Sequence, residues 1–322
     1  MSDDWLWDGG DPPDPDDARV AASLRALARD RACPPLPERP AAPAVPRWRR
    51  PRVVVGGLAL AAALVAALWS TPRWTVQTLT GARPCAWGPC WLAEEATLTT
   101  DAESAWEVQI GDIGALQLGP NSQLARLPTE RGHLLRLAQG EVDVSVRAEP
   151  GDLRIQTPAA DVVDLGCAFA LRVDATTTEL SVRDGSVALQ NDQGTSIVTA
   201  GSAASAVSGR RPGLPLRADA PAALVAAVRA LEQNLDAGIP ADPALADALV
   251  AAARPGDLLT LWHALQLVPA DGRARLLDGL LAAAPARRAD RGALLRLDGG
   301  ALQALWQDLV PRALGEENGG PR

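Results

Sequence analysis

The stretch "ELSVRDGSVAL", Glu179–Leu189, sets the character of the middle of this chain. Apolar and polar residues alternate, with Leu180 and Val182 before the Asp184-Gly185 pair and Val187 and Leu189 after it, a pattern that predicts two strands joined in a hairpin at Asp184-Gly185. The same period of two runs outward in both directions. "AWEVQI" sets Trp106, Val108 and Ile110 on one face, "GEVDVSV" Val142, Val144 and Val146, "DLRIQT" Leu153 and Ile155, and "FALRV" Phe169, Leu171 and Val173. Short strands recurring this often, separated by Gly, Asp, Asn and Pro, predict an all-β domain over residues 97–208. Periodicity leaves two architectures open, a twisted antiparallel sandwich or a small β-solenoid.

After a linker at 209–219, the period changes to that of helices. "PAALVAAVRALEQNLDAG", "PALADALVAAA", "PGDLLTLWHALQLV", "GRARLLDGLLAAA" and "GGALQALWQDLV" are helix-sized and divided by Pro or Gly, which predicts all-α helical hairpins over 220–314 with a tail at 315–322. Trp262 and Trp306 fall on the apolar sides of their helices and read as core. His263, next to Trp262, points elsewhere on its helix and carries no role at this level.

Working toward the N-terminus, Val53–Trp69 is an uncharged run of 17 residues, about 25 Å long as a helix. Arg47, Arg49, Arg50 and Arg52 precede it, and Trp48, Trp69 and Trp74 flank it as an interfacial belt would. The expectation is one transmembrane helix over 53–70. About fifty residues stand before the run, too many for a cleaved signal peptide. The arginine asymmetry leaves the N-terminus in the cytoplasm and sends the rest across. Cys85 and Cys90, in the juxtamembrane segment 71–96, would then sit where a disulfide persists. A zinc site there lacks further ligands, since the chain's two histidines, His133 and His263, are distant in sequence.

Residues 1–31 form the leader. "DDWLWDGGDPPDPDDARV", Asp3–Val20, is too acidic and too broken by Pro and Gly to build a core, and Asp14 to Arg31 reads as one amphipathic helix. Residues 32–52 follow as a proline-rich spacer with a basic flank. A net charge of −8 argues against direct nucleic-acid binding.

The order of motifs in the β region resembles the FecR domain. "GDIGALQLGPNSQLARL", "RGHLLRLAQGEVDVSV", "LRIQTPAADVVDLGCAFALRV" and "ELSVRDGSVAL" follow one another in that family's sequence and spacing, with Leu137, Gly140, Glu141, Thr157, Gly166, Phe169, Gly185 and Val187 on its recurrent positions. The resemblance implies a single-pass inner-membrane regulator of an extracytoplasmic-function sigma factor, with a cytoplasmic sigma-binding segment and a periplasmic sensing domain. Two departures limit it. The chain ends in helices where the best-studied members carry an α/β lobe, so no siderophore receptor is implied, and Cys167 stands where the family has threonine. In a β core such a cysteine reads as a small hydrophobe.

No H-E-x-x-H, G-x-S-x-G or Gly-rich phosphate loop is present, and the expectation is a non-enzyme without cofactor or metal. The expected partner of the leader is a sigma factor, contacted by Trp5, Leu6, Trp7, Leu24 and Leu27, since aromatic anchors dominate interface energetics. The expected periplasmic partner is an unidentified protein or ligand. The alternative is an envelope scaffold whose β domain binds a periplasmic protein or glycan with no sigma partner.

Overall fold

A computed structural model describes residues 74–85, 89–284 and 290–313. The leader anchors Trp5, Leu6, Trp7, Leu24 and Leu27, the proline spacer and the expected span over 53–70 lie outside them. Among the described residues no helix is long and apolar enough to cross a membrane.

Among the described residues fifteen strands build the β region: β1 (Thr75–Thr80), β2 (Cys90–Trp91), β3 (Thr97–Thr99), β4 (Ala105–Ile110), β5 (Gly114–Leu118), β6 (Gln123–Leu127), β7 (His133–Val146), β8 (Leu153–Gln156), β9 (Asp161–Asp164), β10 (Ala168–Val173), β11 (Thr177–Asp184), β12 (Ser186–Asn191), β13 (Gly194–Thr199), β14 (Ser202–Val207) and β15 (Leu216–Arg217). They form two sheets that share β7. One runs β2-β1-β4-β5-β7-β10-β11-β14-β15 and the other β3-β6-β7-β8-β9-β12-β13. Every pairing is antiparallel except β7 with β8. Side chains from both sheets, among them Val144, Phe169 and Leu180 from the first and Leu135, Ile155 and Val187 from the second, meet in one apolar core. A core filled from two facing layers of antiparallel strands is a sandwich, and the antiparallel pairing excludes the parallel rungs of a solenoid.

The shared strand explains how the layers connect. His133–Gln139 pairs with β6 and β8 in the second sheet, whereas Gly140–Val146 pairs with β5 and β10 in the first. The change falls at Gly140, whose φ is +99°. A Cβ there would collide with Ser122, including its backbone Cα.

The hairpin expected at Asp184-Gly185 does not form. β11 pairs with β10 and β14, and β12 pairs with β9 and β13, so the chain crosses from one sheet to the other at Gly185. The reason is spatial: Gly185, at φ +74°, packs onto Gly166 and Cys167, with Cys167 Cβ 2.8 Å from where its own Cβ would be. Its carbonyl accepts from Ala200 N–H at 3.0 Å. The strand residues on either side are therefore buried in the same core but belong to opposite layers.

Trp74, expected at a membrane interface, is instead 2% exposed in the sandwich core. The Arg126 guanidinium lies 4.6 Å from its ring centroid and the His133 ring packs edge-on at 5.3 Å. Strands β1 and β2, which precede residue 97, join the first sheet.

Helices α1 (Ala222–Asp236), α2 (Pro243–Ala252), α3 (Leu258–Leu265), α4 (Ala270–Ala283), α5 (Arg291–Leu295) and α6 (Gly299–Ala313) follow, with a 3-10 turn at Pro255–Asp257. Asp242 caps α2 by accepting from Ala244 N–H, with Pro243 in the first turn. Leu224, Val228 and Leu231 of α1, Leu249 of α2 and Leu276, Leu277 and Leu280 of α4 fill a second core. Trp262 and Trp306 stack edge-to-face at 4.8 Å, and Trp262 Nε1 donates to Leu302 O at 3.2 Å. All eight residues of α3 are buried, so no side of that helix is left for solvent. His263 accordingly is not turned outward.

Candidate functional site

The family-like positions are architectural. Leu137, Phe169 and Val187 are fully buried core. Thr157 closes the turn between β8 and β9, its hydroxyl accepting from Ala160 N–H at 3.1 Å and lying 2.6 Å from Thr178 Oγ1. Ser122 clasps the Gly140 bend: its hydroxyl accepts from Glu141 N–H at 2.9 Å, and its own N–H donates to Thr100 Oγ1 at 2.9 Å. Cys167 does more than fill space. Its thiol donates to Asp164 Oδ1, and burial followed by that carboxylate pushes the thiol's pKa up. Asp164, fully buried, is pushed up by burial, against the hydrogen bonds of Cys167 and the backbone N–H groups of Leu165, Gly166 and Cys167. A thiol with its pKa raised is a poor nucleophile, so this pair reads as structural.

The concave surface lies elsewhere, on the outer face of the first sheet. Strand alternation that sends Val142, Leu171 and Leu180 inward sends Glu141, Asp143, Ala170, Arg172, Glu179 and Ser181 outward. The register sets Asp143, Ala170, Ser181 and Ala203 in one row across four strands. Glu141, Arg172, Glu179 and Ser205 form the next. Because the centre of the first row is alanine and serine, the floor is low. The segment 213–218 and α1, presenting Val225, Arg229 and Glu232, stand beside it, and the groove so formed encloses about 750 Å³.

Its charges are mostly paired. Arg172 binds Glu141 at 2.7 Å, and Arg183 reaches both oxygens of Asp143. Glu232 accepts from Leu214 N–H at 2.8 Å, and burial pushes its pKa up against that bond. Glu179 and Arg229 have no ion-pair or hydrogen-bond partner among the described residues, which leaves one carboxylate and one guanidinium for a bound molecule. Leu79, 46% exposed, supplies an apolar edge. Neither histidine lines the groove, and the ionisable side chains that do are carboxylates and arginines. The surface fits binding of a partner with mixed polar and apolar character.

Sequence reasoning did not find this groove. Its residues sit on solvent-facing strand positions that look ordinary one by one, and only the pairing register collects them. Cys85 and Cys90 are joined in a disulfide, S–S 2.01 Å, whose loop precedes β2. Among the described residues no group of three His, Cys, Asp or Glu side chains could hold a metal ion.

Comparison with known proteins finds a match within the sandwich. The family model for FecR protein matches residues 96–188, from just before β3 into β12. No curated protein matches the chain. Two crystal structures of a candidate anti-sigma factor from Parabacteroides distasonis are similar at 21% and 20% identity, each with a TM-score of 0.33. Each match covers 41% of this chain and 63% of the other, less than two thirds of its length.

Proposed function

We propose that this chain is a single-pass regulator in the bacterial inner membrane that passes a periplasmic signal to a cytoplasmic sigma factor. The observation that carries the reading is the FecR match over the sandwich, residues 96–188. Supporting it, the arginine cluster Arg47–Arg52 and the apolar run Val53–Trp69 would leave the acidic leader inside and the sandwich outside. The leader would fold on the sigma factor with Trp5, Leu6, Trp7, Leu24 and Leu27 as anchors, its aspartates facing the partner's basic surface. The groove beside α1 would take the periplasmic ligand. Its job is binding, not catalysis, and no cofactor enters the scheme.

The test is co-purification of the full chain, in detergent, with the sigma factors of its own genome. Recovery of one of them, reduced at least tenfold by Trp5→Ala with Trp7→Ala, is the expected result. Failure to recover any would overturn the sigma reading and favour an envelope scaffold that binds a periplasmic protein or glycan through the same groove.

A further inference from the structure

Helix α3 carries "LLTLWHAL", and its one ionisable side chain, His263, reaches across to the sandwich. Nε2 lies 3.3 Å from Ile197 N and 3.1 Å from Ile197 O. Ile197 belongs to β13, the outermost strand of the second sheet, so these are backbone groups that no further strand pairs. The other side-chain hydrogen bonds between the helices and the rest run to the connecting segment 208–221. Thr260 Oγ1 donates to Pro215 O, Arg254 Nη2 donates to Asp219 O, and Glu232 accepts from Leu214 N–H. Among the described residues, His263 alone joins a helix to a strand of the sandwich by a side-chain hydrogen bond.

The surroundings are hostile to a charged ring. β13, "GTSIVT", holds no ionisable group, and α3 holds no other. The Trp262 and Trp306 rings pack edge-on at 4.9 and 6.1 Å, and α6 brings no carboxylate to the ring. The charged neighbour is Arg211 of the connecting segment. It lies across Gly194 at the start of β13, its Cζ 2.6 Å from where a Cβ would sit. A cavity of about 180 Å³ lined by Thr195, Arg211, Gln266 and Leu267 opens beside the ring and gives a proton a route. An imidazolium here could still donate to Ile197 O, but it could not accept from Ile197 N–H, and its charge would meet a cation with no counter-ion.

We propose that the His263–Ile197 contact is an acid-operated latch: protonation of this one ring frees the helical lobe from the edge of β13. Burial, with Arg211 adding repulsion, pushes the imidazole down to about 4, against the backbone hydrogen bond that raises it. The sign follows from the ring being neutral when docked: docking is fully favoured above the free histidine's pKa near 6.5 and weakens as pH falls through the docked value. With these limits the opening equilibrium should rise on the order of 100-fold between pH 7 and pH 4. This inference does not depend on a sigma partner.

The chain's two histidines make the test site-specific. Full-length protein in detergent, labelled with ¹⁵N-histidine, should show one imidazole that stays neutral to about pH 4, assigned by its loss in His263→Gln. Hydrogen exchange at the Ile197 amide, corrected for intrinsic rate, should accelerate relative to core amides such as Val144 over the same range. His263→Gln keeps a donor and an acceptor but cannot titrate, and its Ile197 protection should be independent of pH. Arg211→Gln should move the wild-type transition to higher pH. A ring titrating near 6.5, Ile197 exchange that is flat in the wild type, acceleration shared equally by Val144, or a His263→Gln variant that follows the wild-type profile would each overturn the latch.

Discussion

Two stretches share one pattern and do different things with it. Leu137-Ala-Gln-Gly-Glu-Val142 and Val182-Arg-Asp-Gly-Ser-Val187 both read apolar-x-x-Gly-x-Val. In both, consecutive core residues are five apart, an odd spacing that breaks strict alternation and moves the buried side chains to the other face. At Gly140 the strand continues, bent, and belongs to both sheets. At Gly185 the pairing ends and a new strand starts in the facing sheet. What separates them is the neighbour. The bend at Gly140 is held from the side by Ser122, at the entry to β6, which satisfies Glu141 N–H. Gly185 meets a second crossing, the Leu165-Gly166 step between β9 and β10, and the two connections stack. A glycine motif thus states that the chain changes layer, and the packing beside it decides whether the strand survives the change.

The largest effect tests the continuous bend. Gly140→Ala places a Cβ against the Ser122 backbone at a φ of +99°. With partners on both flanks neither strand can withdraw, and we expect a loss of roughly 4 kcal/mol, left-handed strain plus overpacking, by urea denaturation. Gly185→Ala meets Gly166 and Cys167 at φ +74°, but a connection has more freedom to shift than a paired strand. We expect about 3 kcal/mol there. Equal losses, or a larger one at Gly185, would break the distinction between bend and crossing.

The clasp is the next largest. Ser122→Ala removes the acceptor of Glu141 N–H while leaving the glycine and the backbone link of residue 122 to Thr100 intact. The Glu141 N–H is partly buried, and leaving it without a protein partner should cost about 1 kcal/mol, the low end for an unsatisfied donor, in the same denaturation assay. If Ser122→Ala is neutral, the bend is held by Gly140 alone and the lateral clasp has no part in it.

The contrast between the two motifs also marks how far the sequence could be read. Alternation identified the strands carrying Trp106, Val142, Leu153 and Phe169, and a helical period identified the segments after 220. Both are local properties of the backbone. Asp184-Gly185 misled because a two-residue turn and a change of sheet use the same residues, and the deciding contact, Gly166, lies nineteen positions away. Trp74 misled in the same manner: its flank of apolar sequence suggested a membrane surface, while Arg126 and His133, which actually enclose it, come from β6 and β7. The groove and the His263 contact depend wholly on tertiary placement. A lone histidine in an apolar helix gives no local sign that it will cap a sheet edge.

The smallest effect sharpens the crossing at Gly185, because the side chain beneath it makes a buried hydrogen bond of its own. Cys167 donates through its thiol to a fully buried Asp164 whose second oxygen, Oδ2, has no partner. If the donor is what matters, a hydroxyl will serve. Cys167→Thr should change stability by less than about 1 kcal/mol, because the hydroxyl replaces the thiol as donor in nearly the same volume. Cys167→Val has the shape of threonine without the donor and leaves the carboxylate short of a hydrogen bond, at about 1–2 kcal/mol. Asp164 carries a raised pKa through burial, so its protonated form is favoured on folding: the stability it contributes is present below the unfolded carboxylate pKa and is lost as pH rises through the folded one. Removing the thiol donor should raise that folded pKa further, so the deficit of Cys167→Val against Cys167→Thr should grow from pH 4 to pH 7. A deficit that is constant with pH, or absent, would mean that the residue under Gly185 acts by volume alone and that the crossing is held by packing where the bend at Gly140 is held by hydrogen bonds.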